Sequence, residues 1–325
     1  MPVSFITAAI STWRAVHINA APGAVPLESH EAIVKLSIKA VEDARTASHL
    51  GTEREGTGVL IDASGLIVTI GYLILEASSI LVVARDGRVF PASVAGYDHA
   101  TGFGLLRTAP GIVRPIELGD SSGLRELNAV RVVAHPGAGG AGYACVVARR
   151  RFTGWWEYML EDAIFTAPPR YEHSGAVLID DEGRLVGIGS LWVSDALDLE
   201  VAFPGNMFVP INLLKPQLVD LVANGRRQGP PRPWLGVYSE EIEGHVVVTR
   251  VLADGPADRA GLKRGDIILG VGGESISGQA EFYSRLWESG VAGVEVVLHV
   301  LRKRVVQQLV VESADRMDYL RPFQA

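Results

Sequence analysis

The spacing Gly-x-Gly-x-x-Gly, which lets a backbone approach a pyrophosphate, occurs in the stretch Pro136-Gly137-Ala138-Gly139-Gly140-Ala141-Gly142. A dinucleotide site needs a helix next, so that its amino-terminal dipole meets the phosphates. Here Tyr143-Ala144-Cys145-Val146-Val147 follows, which reads as a strand. The stretch is therefore a glycine loop between strands. The chain has 8 histidines, but they fall in no H-E-x-x-H or comparable ligand spacing, so no metal centre and no cofactor is expected. Cys145 is the single cysteine, which excludes an internal disulfide and a cysteine-rich zinc site. The cluster Trp155-Trp156-Glu157-Tyr158 suits either a binding surface or a packed aromatic cluster, and packing is the favoured reading.

These residues need elements to hold them. The 325 residues suggest about two domains. Apolar residues make up 48% and charged residues 21%, which argues against a mainly disordered chain. The formal charge of −7 shows no basic excess and argues against duplex nucleic acid as a partner. The longest nearly uncharged apolar run, Gly65 to Leu75, is about half of what a membrane span needs. No Lys or Arg precedes the short apolar stretch near the amino terminus, which makes a poor secretory signal. A cytoplasmic or already processed chain is slightly favoured on that ground.

Thirty-six glycines and 17 prolines favour a β-rich fold. Short β-branched runs recur from residue 31 onward: Ala32–Leu36, Gly58–Ile61, Leu66–Thr69, Ile80–Ala84, Val130–Ala134 and Ala176–Ile179. Asp86-Gly87 and Glu182-Gly183 stand where hairpins should turn. About a dozen such strands suggest barrels or a sandwich. From Pro210 to Asn224 the leucines at 213, 214, 218 and 221 fall at helical spacing, and Asn224-Gly225 is a good stop. The predicted organisation is an amino-terminal segment (1–30), a β-rich domain (31–225), a proline-rich linker (226–233), a compact second domain (234–313) and a tail (314–325). Strands are expected at Val246–Thr249, Ile267–Leu269 and Val294–Leu298, and helix near Asp258–Ala260 and Phe282–Trp287.

The second domain carries Trp234-Leu235-Gly236-Val237, then Gly255-Pro256-Ala257, then Ala260-Gly261-Leu262-Lys263-Arg264-Gly265-Asp266-Ile267, and later Gly272-Gly273 and Ile276. It closely resembles a PDZ domain of the bacterial type that follows Deg/HtrA proteases. The resemblance implies that the N–H groups of Leu235, Gly236 and Val237 form a nest for a terminal carboxylate, with an extended peptide adding a strand alongside. Trp234 opens this region. Val237, Phe282 and Leu286 are expected to line the pocket for the last side chain of the peptide.

The first domain resembles the trypsin-like double β-barrel of HtrA proteases. The matching pieces are Gly56–Asp62, Gly65–Thr69, Leu118-Gly119-Asp120-Ser121, Ser174-Gly175 and Leu185–Ile188, in family order. The resulting fold expectation is mainly β: a double barrel followed by a small α/β PDZ domain. Hydrolysis in this family requires a serine, a histidine base and a carboxylate that holds the histidine. Where the family has histidine, this chain has Tyr72 within Thr69-Ile70-Gly71-Tyr72. Where the family has aspartate, Gly102 stands in Asp98-His99-Ala100-Thr101-Gly102. The serine motif reads Glu172-His173-Ser174-Gly175. It keeps Ser174 at the nucleophile position but places Glu172, beside His173, in the region that builds the oxyanion hole.

The resemblance, with these departures, implies a pseudoprotease-like molecule. It would bind polypeptide carboxy-termini or unfolded segments as a scaffold or quality-control factor. It also implies a homo-oligomer, a trimer in many relatives, and a periplasmic setting, against the cytoplasmic reading of the amino terminus. The alternative is an active serine endopeptidase in which Ser174 uses a non-standard base such as His99 or His173. A third class, a purely structural assembly protein, would show no affinity for peptides.

Overall fold

The computed structural model describes residues 31–135, 141–197 and 202–323. The expectations for residues 1–30 and for the glycines at 137, 139 and 140 lie outside the described residues. Contacts divide the chain into two compact units. The first takes the residues up to Arg150, Glu161–Gln228 and the last few from Pro322. The second takes Arg151–Leu160 and Gly229–Arg321.

The first unit holds two six-stranded closed barrels, except for the hairpin tip Arg151–Leu160, which belongs to the second unit. Strands β1 (Ile33–Ala40), β2 (Glu53–Leu60), β3 (Leu66–Ile70), β4 (Ala77–Val83), β5 (Val89–Asp98) and β6 (Phe103–Arg107) close in the order β1-β2-β3-β6-β5-β4. A helical turn, α1 (Ala47–Leu50), joins β1 to β2. The second barrel is built from β7 (Ala129–Val133), β8 (Ala141–Gly154), β9 (Tyr158–Ala167), β10 (Val177–Ile179), β11 (Leu185–Val193) and β12 (Gly205–Pro210). Its order is β10-β11-β12-β9-β8-β7. Closure pairs every strand on both sides and removes exposed edges. Leu36, Val59, Ile67, Val68, Val82 and Leu105 on the strands of the first barrel are all fully buried. Alternation puts neighbours such as Ile67 and Val68 on opposite faces of the sheet, so both faces are covered here. Val130, Val132, Val146, Ile164, Leu178, Val186 and Phe208 form the core of the second.

The helical stretch expected over Pro210–Asn224 is shorter than its leucine spacing suggests. Two 3-10 turns, Ile211–Leu213 and Lys215–Gln217, precede α2 (Leu218–Asn224). Pro216 lacks an N–H and so cannot extend an α-helical ladder through the middle of the stretch. Gly225 closes α2 in the left-handed region, φ 72°, and its N–H returns to Leu221 C=O. Asp120, in the Leu-Gly-Asp-Ser run, ties the chain between the barrels. Its Oδ1 accepts from Ser122 N–H (2.9 Å) and from Asn212 Nδ2 (2.6 Å).

In the second unit, β13 (Val237–Ile242), β14 (His245–Val251), β15 (Ile267–Val271), β17 (Glu295–Arg302) and β18 (Val305–Glu312) form one antiparallel sheet, with β16 (Glu274–Ser275) pairing β15. The helices are α3 (Pro256–Arg259), α4 (Gln279–Glu288) and α5 (Arg316–Tyr319). The core gathers Leu235, Val237, Val248, Ala257, Leu262, Phe282, Tyr283, Leu286 and Leu298. Asp266 of the Lys-Arg-Gly-Asp run is buried and anchors β17 to the loop before β15. It takes Arg302 Nε and Nη2 at 2.7 and 2.6 Å and Lys263 N–H at 2.8 Å.

Candidate functional site

Ser174 sits on a tight turn, closed by Ala176 N–H donating to His173 C=O at 3.0 Å. Gly175 takes φ 75°, and a Cβ there would collide with Thr57 C=O and approach Thr69 Oγ1 at 2.7 Å. Only glycine fits both the angle and the space. Thr57 N–H donates to Ser174 C=O at 2.9 Å, and Gly175 N–H donates to Gly189 C=O at 2.9 Å. The turn is thus fastened to β2 of the first barrel and to strand β11 of the second.

Tyr72 lies in the 3-10 turn Gly71–Leu73 that ends β3. Its Oη stands 2.9 Å from Ser174 Oγ and 2.8 Å from Ser190 C=O. A phenol has one proton and a carbonyl can only accept, so Tyr72 donates to Ser190 C=O and the Ser174 hydroxyl donates to the phenol oxygen. Burial pushes the Tyr72 phenol up to about 12, against a small opposing effect of the Ser174 contact. Gly102 lies close behind: its C=O accepts from Gly71 N–H at 2.7 Å, and its N–H donates to Asp98 C=O at 2.7 Å. The three positions implied by the resemblance therefore converge in one place, with a phenol and a bare backbone in two of them.

The neighbouring candidates are engaged elsewhere. His99 Nδ1 lies 3.4 Å from Tyr97 Oη. Asp98 caps its own loop, accepting from Ala100 N–H (3.1 Å) and Thr101 Oγ1 (2.7 Å), with Arg227 at 3.8 Å. Burial lowers the pKa of His173, partly offset by the Tyr171 and Arg170 backbone and by Glu172. The Glu172 side chain is exposed to solvent. Among the described residues no group of three or more His, Cys, Asp or Glu is placed to hold a metal ion.

In the second unit the loop Trp234–Val237 is held by backbone hydrogen bonds. Trp234 pairs with Ala314 through two backbone hydrogen bonds of 3.1 and 3.0 Å, and Leu235 C=O accepts from Ala257 N–H at 2.9 Å. This fixes the loop so that three consecutive N–H groups point one way. They point at a carboxylate of the chain itself. Glu157 Oε1 accepts from Gly236 N–H and Val237 N–H, each at 2.8 Å, and Oε2 accepts from Leu235 N–H at 3.0 Å. Glu157 is buried, with φ 56°. Val237, Phe282 and Leu286 are all fully buried in the core below. In the aromatic cluster beside Glu157, Tyr158 is buried while Trp155 is exposed. Trp156 stacks on Tyr158 with centroids 5.3 Å apart, and Trp155 meets Trp156 edge-on at 5.4 Å. Sequence reasoning singled out this cluster but gave Glu157 no role. A lone carboxylate among aromatics carries no spacing signal, and its partners lie 78 to 80 residues away.

The paired barrels with their serine turn, followed by a carboxylate-binding nest beside β13, define a trypsin-like peptidase fold joined to a PDZ domain. Family comparison agrees: the profile described as trypsin-like peptidase domain matches residues 56–188, and that of the PDZ domain matches residues 233–312. HhoA of Synechocystis sp. is 28% identical over 279 residues, covering 80% of this chain and 70% of that protein. The periplasmic pH-dependent serine endoprotease DegQ of Escherichia coli is 29% identical over 266 residues, covering 76% and 56%. The serine protease Do-like HtrA of Bacillus subtilis is 26% identical over 278 residues, covering 76% and 60%. This chain thus spans little more than half the length of the last two. The solved HtrA-type protease AlgW with decapeptide shares the fold, with a TM-score of 0.54 at 23% identity over 91% of this chain and 97% of that one. The chain is a homologue of the HtrA-type serine proteases, carrying a PDZ domain after its peptidase-like domain.

Proposed function

We propose that this protein binds polypeptide through its PDZ groove and does not hydrolyse it. The observation that carries this reading is the 2.9 Å contact between Tyr72 Oη and Ser174 Oγ. A general base must accept the serine proton at working pH, and its conjugate acid should titrate near that pH. A phenol held at about 12 is protonated at neutrality and accepts no further proton of use. With Gly102 in place of a carboxylate, nothing at that position would orient or charge-balance an imidazole. Ser174 then remains an ordinary alcohol.

Retention of the groove supports binding. Leu235, Gly236 and Val237 hold a carboxylate through three amides, the arrangement that captures a polypeptide end. Carboxy-terminal tails and extended or unfolded segments are the proposed partners, in a scaffold or quality-control role. Kinship with HtrA proteases supports a homo-oligomer, in which several grooves on one assembly would raise avidity.

A fluorophosphonate probe tests the loss of hydrolysis. The expected result is no labelling of the wild-type chain above the Ser174→Ala background. Stoichiometric labelling that disappears in Ser174→Ala, together with turnover of casein, would establish an active endopeptidase with an unusual base.

A further inference from the structure

The segment held in the groove is contiguous, and one main-chain hydrogen bond joins it to the edge of β13. Trp155 C=O accepts from Ser239 N–H on β13 at 2.9 Å. Two residues on, Glu157 places its carboxylate in the nest. Tyr283 on α4 donates to Gly154 C=O at 2.7 Å and lies 3.3 Å from Glu157 N–H, which donates back to it. Gln279 supports Tyr283 from the same helix, with Nε2 3.0 Å from the phenol. Met159 packs against the apolar core that includes Phe282 and Leu286. A main-chain bond to a sheet edge, followed two residues on by a carboxylate on three converging amides, is a contact set by which such an edge reads a peptide end. All of these groups belong to the second unit.

We propose that residues Gly154–Tyr158 are the resting ligand of this groove, with the Glu157 side chain standing in for a peptide's terminal carboxylate. An outside polypeptide tail enters by displacing them. This rests on the reading that the groove binds polypeptide ends, and it adds a built-in competitor. The competitor is an internal acidic turn, so the nest also accepts a side-chain carboxylate presented between aromatic residues. Two features point to recognition rather than incidental packing. All three amides of the nest are used at 2.8 to 3.0 Å, and Glu157 adopts a left-handed backbone that a non-glycine residue takes at a cost. A tethered ligand acts at an effective concentration in the millimolar range. Even a weak internal contact therefore lowers the apparent affinity for a free tail in proportion to the closed fraction.

The test uses the full chain and a fluorescein-labelled decapeptide with a free carboxylate and a terminal phenylalanine, with its carboxamide as control, read by anisotropy. Glu157→Ala should bind the free-acid peptide about 10-fold tighter or more than wild type, and the carboxamide should bind neither. A second measurement needs no variant. Hydrogen exchange of wild type should show residues 151–160 losing protection as the peptide saturates. Equal affinity of wild type and Glu157→Ala, or saturation that leaves 151–160 protected, overturns the internal ligand while peptide binding stands. Failure of both proteins to bind the peptide overturns peptide binding itself, and the displacement model with it.

Discussion

Tyr72 Oη and Ser174 Oγ meet at 2.9 Å across 102 residues of chain. The meeting depends on two fixed turns. One is the 3-10 turn at the end of β3, whose Gly71 N–H is tied to Gly102 C=O. The other is the Ser174 turn, fastened to Thr57 and Gly189. Tyr72 is also bonded to Ser190 C=O, so the phenol bridges the serine turn and the adjoining strand β11. The Tyr72 side chain thus acts as a strut between the two.

If the chain does not hydrolyse peptide, as proposed, gaining hydrolysis should take more than one change. Tyr72→His supplies a nitrogen base, and Gly102→Asp supplies its anchor. Gly102 has φ 85°, so a side chain there costs about 1–2 kcal/mol of stability from backbone strain. Glu172→Gly removes the exposed carboxylate two residues before Ser174, at the position that the resemblance assigns to the oxyanion region. The triple variant should react with a fluorophosphonate at least ~100-fold faster than wild type, the scale of general-base assistance. The Tyr72→His, Gly102→Asp pair alone should fall short of it. Wild-type reactivity equal to that of the triple variant would mean that Ser174 already has a base.

The rigidity of the serine turn can be measured through its glycine. Gly175 and Gly87 both have positive φ, 75° and 86°. A Cβ on Gly87 meets nothing within 4 Å, whereas one on Gly175 strikes Thr57 C=O. Gly87→Ala should cost about 1 kcal/mol, the left-handed penalty alone. Gly175→Ala should cost about 3 kcal/mol or more, since the strands must also move. Thermal or urea denaturation of the two variants gives the comparison. Similar losses would show that the Ser174 turn yields easily and is not held as its contacts indicate.

Much of this arrangement is legible in the sequence because local pattern encodes it. Alternating β-branched runs give the strands, and Asp-Gly and Glu-Gly pairs give their turns. The order of short motifs places Ser174, Tyr72 and Gly102 in one fold, where they converge. The helix before Gly225 is read too long because leucine spacing outweighs Pro216 in a periodicity argument. Glu157 is not legible at all. Its partners, Leu235 to Val237, lie 78 to 80 residues further on, and nothing next to it in the chain hints that a nest is waiting. Asp98 shows the converse: a carboxylate near the expected catalytic position is consumed by Ala100 and Thr101 in its own loop.

The protonation of Glu157 offers a last prediction with a definite sign. Burial pushes its carboxyl from the usual 4.5 up to about 7, and the amides of Val237, Leu235 and Gly236 and the charge of Arg316 only partly pull it back. Tyr283 on α4 and Tyr238 on β13 also face it, and both phenols are raised by their own burial and stay neutral. A carboxyl whose docked pKa lies above its free value binds protons more readily when docked. Its contribution is full below about 4.5 and is lost as pH rises through about 7. Each unit is worth about 1.4 kcal/mol, so the window spans on the order of 3 kcal/mol. Glu157→Gln is neutral throughout and keeps the shape. The difference in unfolding free energy, wild type minus Glu157→Gln, should therefore become more favourable to wild type as pH falls from 8 to 5. Titrations elsewhere are common to both proteins and cancel. A difference that moves the other way on acidification would show that the three amides hold Glu157 as the charged carboxylate, its docked pKa below 4.5 despite burial.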